Sequence, residues 1–200
     1  MGCSSSPSQK LIIFLVGRPG SGQKTQSNLL SETSKDYIVI HIDSLIRQEM
    51  LRKSSVRLDQ INEDKLVPSK DLVELLFNNI SKLKYEYIIL EGFPKCEDNI
   101  LEWKKIIGNK FKIHSLIYLN MSEDLIYERE KEKIDSMGEM WVNKKNKIFN
   151  TQTLPCINDL KNIVNYFEIH VTDKNEKEIH KEILKKIHEF DSGNKFIELV

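Results

Sequence analysis

Short apolar runs alternate with longer stretches in which apolar positions recur every three or four residues, from Leu11 to Ile187. The runs at 11–16, 37–41, 87–90, 114–119 and 168–171 read as strands, the first apolar throughout and the third a buried strand. The stretches between them have helical spacing. Leu29 and Leu30 share one face after the first strand. Leu45, Ile46 and Met50 mark a helix over 43–53. Leu72, Val73, Leu75, Leu76 and Ile80 mark a helix starting at Pro68, a residue suited to the first helical position. Further helices carry Ile100, Leu101 and Trp103, begin at Ser122, and run over 176–189. Strand–helix alternation of this kind predicts an α/β fold: a five-stranded parallel sheet between two layers of helices. No repeat or linker interrupts it, so 11–190 reads as one domain and 191–200 as a loosely docked tail.

The turn after the first strand carries the chemistry. Residues 17–25 read Gly-Arg-Pro-Gly-Ser-Gly-Gln-Lys-Thr, between a strand and a helical pattern. Glycines let a backbone turn tightly and aim N–H groups at phosphate oxygens, and the following helix adds its positive end. The expected binders of a nucleotide's phosphates are therefore Gly17, Gly20, Ser21, Gly22, Gln23, Lys24 and Thr25. In the usual spacing, G-x-x-x-x-G-K, lysine would occupy position 23; here Gln23 stands there and the lysine follows as Lys24. Two registers are open. Counting from Gly17 replaces the catalytic lysine with Gln23. Counting back from Lys24-Thr25 restores the K-[ST] pair but places Arg18 and Gln23 where glycines belong.

Composition narrows the class. The 200 residues include 30 Lys plus Arg against 30 Asp plus Glu, so no basic excess points to nucleic acid. No apolar run approaches the ~20 residues of a spanning helix. Three cysteines without metal spacing read as reduced thiols, and the five histidines are scattered. The start, Met-Gly-Cys-Ser-Ser-Ser, matches the acceptor pattern for myristate on Gly2, with Cys3 placed for palmitate. Two acyl chains anchor stably where one does not. Residues 1–10 thus read as an acylated tether to the cytosolic face of a membrane.

Taken together, the motifs resemble those of the short-lid nucleoside monophosphate kinases, the group containing adenylate kinase and UMP-CMP kinase. The resemblance rests on the G-x-P-G-S-G loop followed by Thr25-Gln26, on Leu90-Glu91-Gly92-Phe93-Pro94-Lys95, on Leu66-Val67-Pro68, and on Asp98-Asn99 and Trp103. It implies a three-layer P-loop kinase fold with a monophosphate-binding segment at about 42–84 and a short lid at about 134–143. It also implies transfer of the γ-phosphoryl of ATP, bound with Mg²⁺, to AMP, CMP or UMP, by a chain that is monomeric as family members often are. Arg47 would grip the acceptor phosphate, with Lys95, Cys96 and Asn99 near the acceptor. Glu91 would hold Mg²⁺ through water. Lys24, Arg129, Lys133 and Lys145 would supply the catalytic charge. The departures share a direction: Gln23 for lysine, Glu91 for aspartate, and Lys95, Lys133 and Lys145 for arginines. Lysine keeps the charge and loses the bidentate fork. Two functions are therefore open: a slow kinase, or a lipid-anchored pseudokinase acting as nucleotide sensor or scaffold. Charges at 128–133 read as a solvated helix face, Trp141 and nearby methionines as hinge packing, and Cys156 as a small buried hydrophobe.

Overall fold

The computed structural model describes residues 10–53 and 67–192, with Ile197 and Leu199. The expected acylation sites Gly2 and Cys3, and the 54–66 part of the expected monophosphate-binding segment, lie outside the described residues. Strands β1 (Leu11–Gly17), β2 (Tyr37–His41), β3 (Tyr87–Glu91), β4 (Lys112–Asn120) and β5 (Tyr166–His170) form one sheet in the order β2-β3-β1-β4-β5. Every pairing is parallel. The helices are α1 (Gln23–Thr33), α2 (Ile42–Lys53), α3 (Ser69–Lys82), α4 (Glu97–Ile106), α5 (Ile126–Arg129), α6 (Lys131–Met137), α7 (Glu139–Ile148), α8 (Leu154–Leu160) and α9 (Glu176–Asp191).

β1 shows why the apolar runs were continuous. Ile12, Phe14 and Val16 pack with α3, α4 and α8 on one face, and Ile13 and Leu15 pack with α1 and α9 on the other. A two-residue side-chain period between two helical layers demands apolar residues at every position. Trp103 of α4 is fully buried, edge-on to Phe14 with ring centroids 5.4 Å apart and 5.4 Å from Phe93. From β1 the chain builds to one side for β2 and β3 and to the other for β4 and β5. In such sheets the binding crevice opens at the carboxyl ends of the strands where the direction changes.

Several expectations need correction. β4 and β5 start earlier than the apolar runs, at Lys112 and Tyr166, because ladder hydrogen bonds do not require an apolar side chain. Pro68 precedes the helix in extended backbone, and Ser69 is the first helical residue. The helix expected from Ser122 is broken into a 3₁₀ turn (Glu123–Leu125), α5 and α6, with a non-helical residue at Glu130 (φ −100°, ψ 14°). The lid region at 134–143 is helical on both sides of Gly138, whose φ of +86° suits glycine. The tail is docked where the structure describes it. Ile197 exchanges backbone hydrogen bonds with Ile113, and Leu199 is 1% exposed. β5 does not pair with the first residues of β4, which leaves that edge for Ile197. Asp191 accepts from Tyr87 Oη at 2.8 Å and lies 3.1 Å from His114 Nε2, fastening the end of α9.

α7 and α8 are joined through a π turn, Phe149–Thr153. Pro155 has no N–H to donate to the turn before it, and a widened turn accommodates that loss. No helix among the described residues is long and apolar enough to cross a membrane.

Candidate active site

The loop is built around Gly17 and two residues with left-handed backbone. A Cβ on Gly17 would lie 2.3 Å from Ser21 Oγ and 2.9 Å from Leu119 O, so only glycine fits. Gly20 and Gly22 have φ of +79° and +86°. Ser21 N donates to Arg18 O at 3.1 Å, closing the turn. No side chain caps α1 at Gly22, which leaves its first N–H groups available to an anion.

α1 begins at Gln23, and Gln23 Nε2 donates to Gly17 O at 2.7 Å. Position 23 therefore turns across the loop, as the first register requires. Lys24, about 100° further around the helix, is exposed at the rim. Lys24 lines the cleft, and its side chain leaves α1 in a different direction from that of Gln23.

A cleft of about 1090 Å³ opens above the sheet and is lined by residues 16–25 apart from Arg18, by Arg47, Glu91, Lys95, Cys96 and Asn99, and by Arg129, Lys133 and Lys145. Every expected site residue outside the amino-terminal segment thus lies in one cavity. Their side chains are largely engaged with the protein itself. Lys95 pairs with Asp43. Partial burial would raise the Asp43 carboxyl, but Lys95, with Lys145 and Arg47, outweighs it and holds the group below the usual carboxylate range. Arg129 Nη2 donates to the carbonyls of Val171 and Thr172 at 3.0 and 3.3 Å, which fixes its guanidinium at the end of β5. Glu91 Oε2 lies 3.1 Å from His41 Nδ1, so one oxygen of the expected magnesium partner is taken.

Asn99, expected near the acceptor, lines the cleft and is held there by the protein. It is 3% exposed, its Oδ1 accepts from Lys95 N at 3.0 Å, and its Nδ2 donates to Ser69 Oγ at 2.8 Å. Through these two bonds Asn99 ties the 92–96 turn to α3 and shapes the acceptor wall. Cys96 remains in the wall, its Sγ 3.8 Å from Ser69 Oγ. Cys156 is buried, as its apolar surroundings predicted, and burial pushes its thiol up to about 12.

The placement of four residues escaped the sequence reading. Arg18 is buried at 8% exposure. Its Nη1 reaches Glu123 Oε2 and Asn146 Oδ1, both at 3.4 Å, and its guanidinium lies over Phe149 at 5.3 Å. It thereby fastens the loop to the helix bearing Lys145. Thr153 Oγ1 donates to Lys95 O at 2.8 Å, tying that same helical rod to the acceptor turn. Glu130 belongs to a run read as a solvated face, yet it is 5% exposed. The break between α5 and α6 turns it inward, toward Gly20. Trp141 lines the cleft, and of its neighbours Met140 is 86% exposed, which corrects the expected methionine packing. Only the presence of Arg18 inside a glycine turn and the local clash of charge periodicity at 128–133 could have signalled these roles.

A family model described as AAA domain matches residues 16–140. The chain is 30% identical over 158 residues to a uridylate kinase of Saccharomyces cerevisiae, covering 73% of this chain and 74% of that enzyme. It is 26% identical over 194 residues to UMP-CMP kinase 2 of Oryza sativa subsp. japonica, covering 92% and 75%. It is also 25% identical over 125 residues to an adenylate kinase of Campylobacter hominis, covering 60% and 65%. With the parallel sheet, the glycine loop at the end of its central strand and the cleft above it, these similarities place the chain in the nucleoside monophosphate kinase family.

Proposed function

We propose that the cleft binds ATP on the 17–25 loop and a nucleoside monophosphate (AMP, CMP or UMP) beside Arg47 and Lys95, and transfers the γ-phosphoryl between them slowly. The observation that carries this reading is that the glycine loop and the cationic residues of both walls share one cavity. Such transfer involves little covalent chemistry from the protein. It depends on alignment of donor and acceptor and on positive charge around the migrating group. The loop amides hold the donor phosphates, Arg47 and Lys95 orient the acceptor, and Lys133 and Lys145 stand on the lid side.

The donor set also fits Mg²⁺. Thr25 offers a hydroxyl and Glu91 a carboxylate, both hard oxygen ligands, the latter through water, and the ion would screen the charge on the polyphosphate. His41 orients Glu91 by taking its Oε2.

Low turnover follows from what the side chains do. Gln23 is neutral and already bonded to Gly17 O. Losing a charged donor of this kind costs roughly 100- to 1000-fold in rate. The same facts favour the second reading, a protein that holds nucleotide with little turnover and serves as sensor or scaffold. Calorimetry with ATP and Mg²⁺, followed by an ADP-release assay with AMP, CMP and UMP, separates the two. Binding with turnover below ~1 s⁻¹, the lower end of the kinase range, is expected; absence of any heat with ATP would remove the nucleotide reading.

Acylation at Gly2 and Cys3 would hold the protein on the cytosolic face of a membrane, a proposal supported by the amino-terminal pattern alone. Gly2→Ala is expected to shift the protein from the membrane to the soluble fraction on cell fractionation. A variant that stays with membranes removes the anchor from the proposal.

A further inference from the structure

The lid side of the cleft contains a cluster that phosphoryl transfer does not by itself explain. Glu130 is buried at the junction of α5 and α6, and its Cγ lies 3.4 Å from where a Cβ on Gly20 would stand. The carboxylate is therefore seated against the phosphate loop. Its Oε2 is 2.5 Å from Lys133 Nζ, one turn along. No hydrogen-bond donor is aligned on that oxygen among the described residues, so the contact is an ion pair. The same Lys133 ammonium lies 5.7 Å from the centre of the Trp141 ring, and Lys145 lies 5.6 Å from it. Both distances are within reach of a cation–π attraction. The Trp141 indole N–H is buried without a hydrogen-bond partner among the described residues.

A buried carboxylate beside a phosphate-binding loop opposes the field that loop needs. It is tolerable when a cation neutralises it, and the cation here is one that the lid would otherwise present to the nucleotide. Trp141 lies within reach of both lysines and attracts both ammonium groups. We infer that Glu130 is a built-in counter-ion that holds Lys133 away from the nucleotide phosphates, with Trp141 as the resting place for Lys133 and Lys145. Glu130 and Trp141 are positioning residues. ATP binds fully only by outcompeting Glu130 for Lys133, and the lid lysines pass from an internal anion to an external one. The geometry differs in kind from an arginine lid. A guanidinium can keep one pair and still offer a second edge to phosphate, whereas the ammonium of lysine is a single point charge.

This inference rests on the cleft accepting ATP. Its test is a cycle of four full-length chains titrated with ATP and Mg²⁺ by calorimetry: wild type, Glu130→Gln, Lys133→Gln and the double variant. Glu130→Gln is expected to bind ATP about 10-fold more tightly, the scale of one charge-assisted contact released to the ligand. In the Glu130→Gln background, Lys133→Gln is expected to weaken ATP binding about 10-fold, because the freed ammonium is then what holds the phosphates. Unchanged or weaker binding in a Glu130→Gln chain that still unfolds cooperatively overturns the inference. So does an ATP affinity of the Glu130→Gln chain that Lys133→Gln leaves unchanged. If Glu130→Gln does not fold, the wild type supplies the answer through emission. Trp103 is sealed in the core, so ligand-dependent emission belongs to Trp141. ATP is expected to change it as the ammonium groups leave the ring. Heat of binding with unchanged emission overturns the inference while leaving nucleotide binding intact; no heat in any of the four chains overturns both.

Discussion

Exchanging the two neighbours, Gln23→Lys with Lys24→Gln, is expected to raise the rate of phosphoryl transfer by about 100-fold, close to 2.7 kcal/mol of barrier. The exchange leaves composition and net charge untouched. It moves one ammonium from the rim of the cleft to the start of α1, where the present side chain already crosses the loop to Gly17 O at 2.7 Å. A lysine from the same Cα reaches further than glutamine and brings a full charge where glutamine brings a dipole. Charged hydrogen bonds are about twice as strong as neutral ones, and the difference widens in a cavity that excludes water. The measurement is ADP release from ATP with each of AMP, CMP and UMP at saturating concentrations. An unchanged rate would shift the deficit from the loop to Lys133 and Lys145.

Trp103→Ala is expected to lower stability by about 4 kcal/mol, the range for truncating a large buried aromatic. Phe14 and Phe93 both pack on the indole, and neither can fill the space it leaves. The indole N–H has no hydrogen-bond partner among the described residues, so Trp103→Phe should lose much less. Urea unfolding of the two variants measures this; equal losses would show that ring area is not the source. The effect extends to function. Phe93 stands in the turn that ends in Lys95, so loosening it should raise the KM for the acceptor while the affinity for ATP stays constant. A parallel loss of both would mean that the whole sheet had shifted.

The fold was legible because its central strands obey one rule. Packing by helices on both sides forces continuous apolar runs, and β1 and β3 display them without a polar interruption. The loop's location was legible for the same reason, since a glycine turn between such a strand and an amphipathic stretch has few alternatives. Its register was not, because the two readings differ by one residue. What decided between them was where α1 starts, a fact that rests on the left-handed backbone of Gly22. Asn99 could be placed at the cleft but not given its partners: Ser69 lies 30 residues away on α3, and Lys95 N, though near in sequence, is presented only by the fold of the 92–96 turn. Glu130 was misread because alternating charges normally mean a solvated face. A single non-helical residue breaks the periodicity on which that reading depended.

The wide turn at Phe149–Thr153 holds one residue more than an ordinary helical turn. A rod shortened there by one residue would regain ordinary pitch with the helices on either side nearly in place, because a turn closed over five residues and one closed over four each make about one revolution. Lys145 and Trp141 would still face the cavity that they line. A second residue lost from the same rod would find no such slack and would turn both side chains by about 100° relative to α8. The spare residue therefore acts as play in the joint that carries the lid, placed where Pro155 leaves the preceding turn a hydrogen bond short.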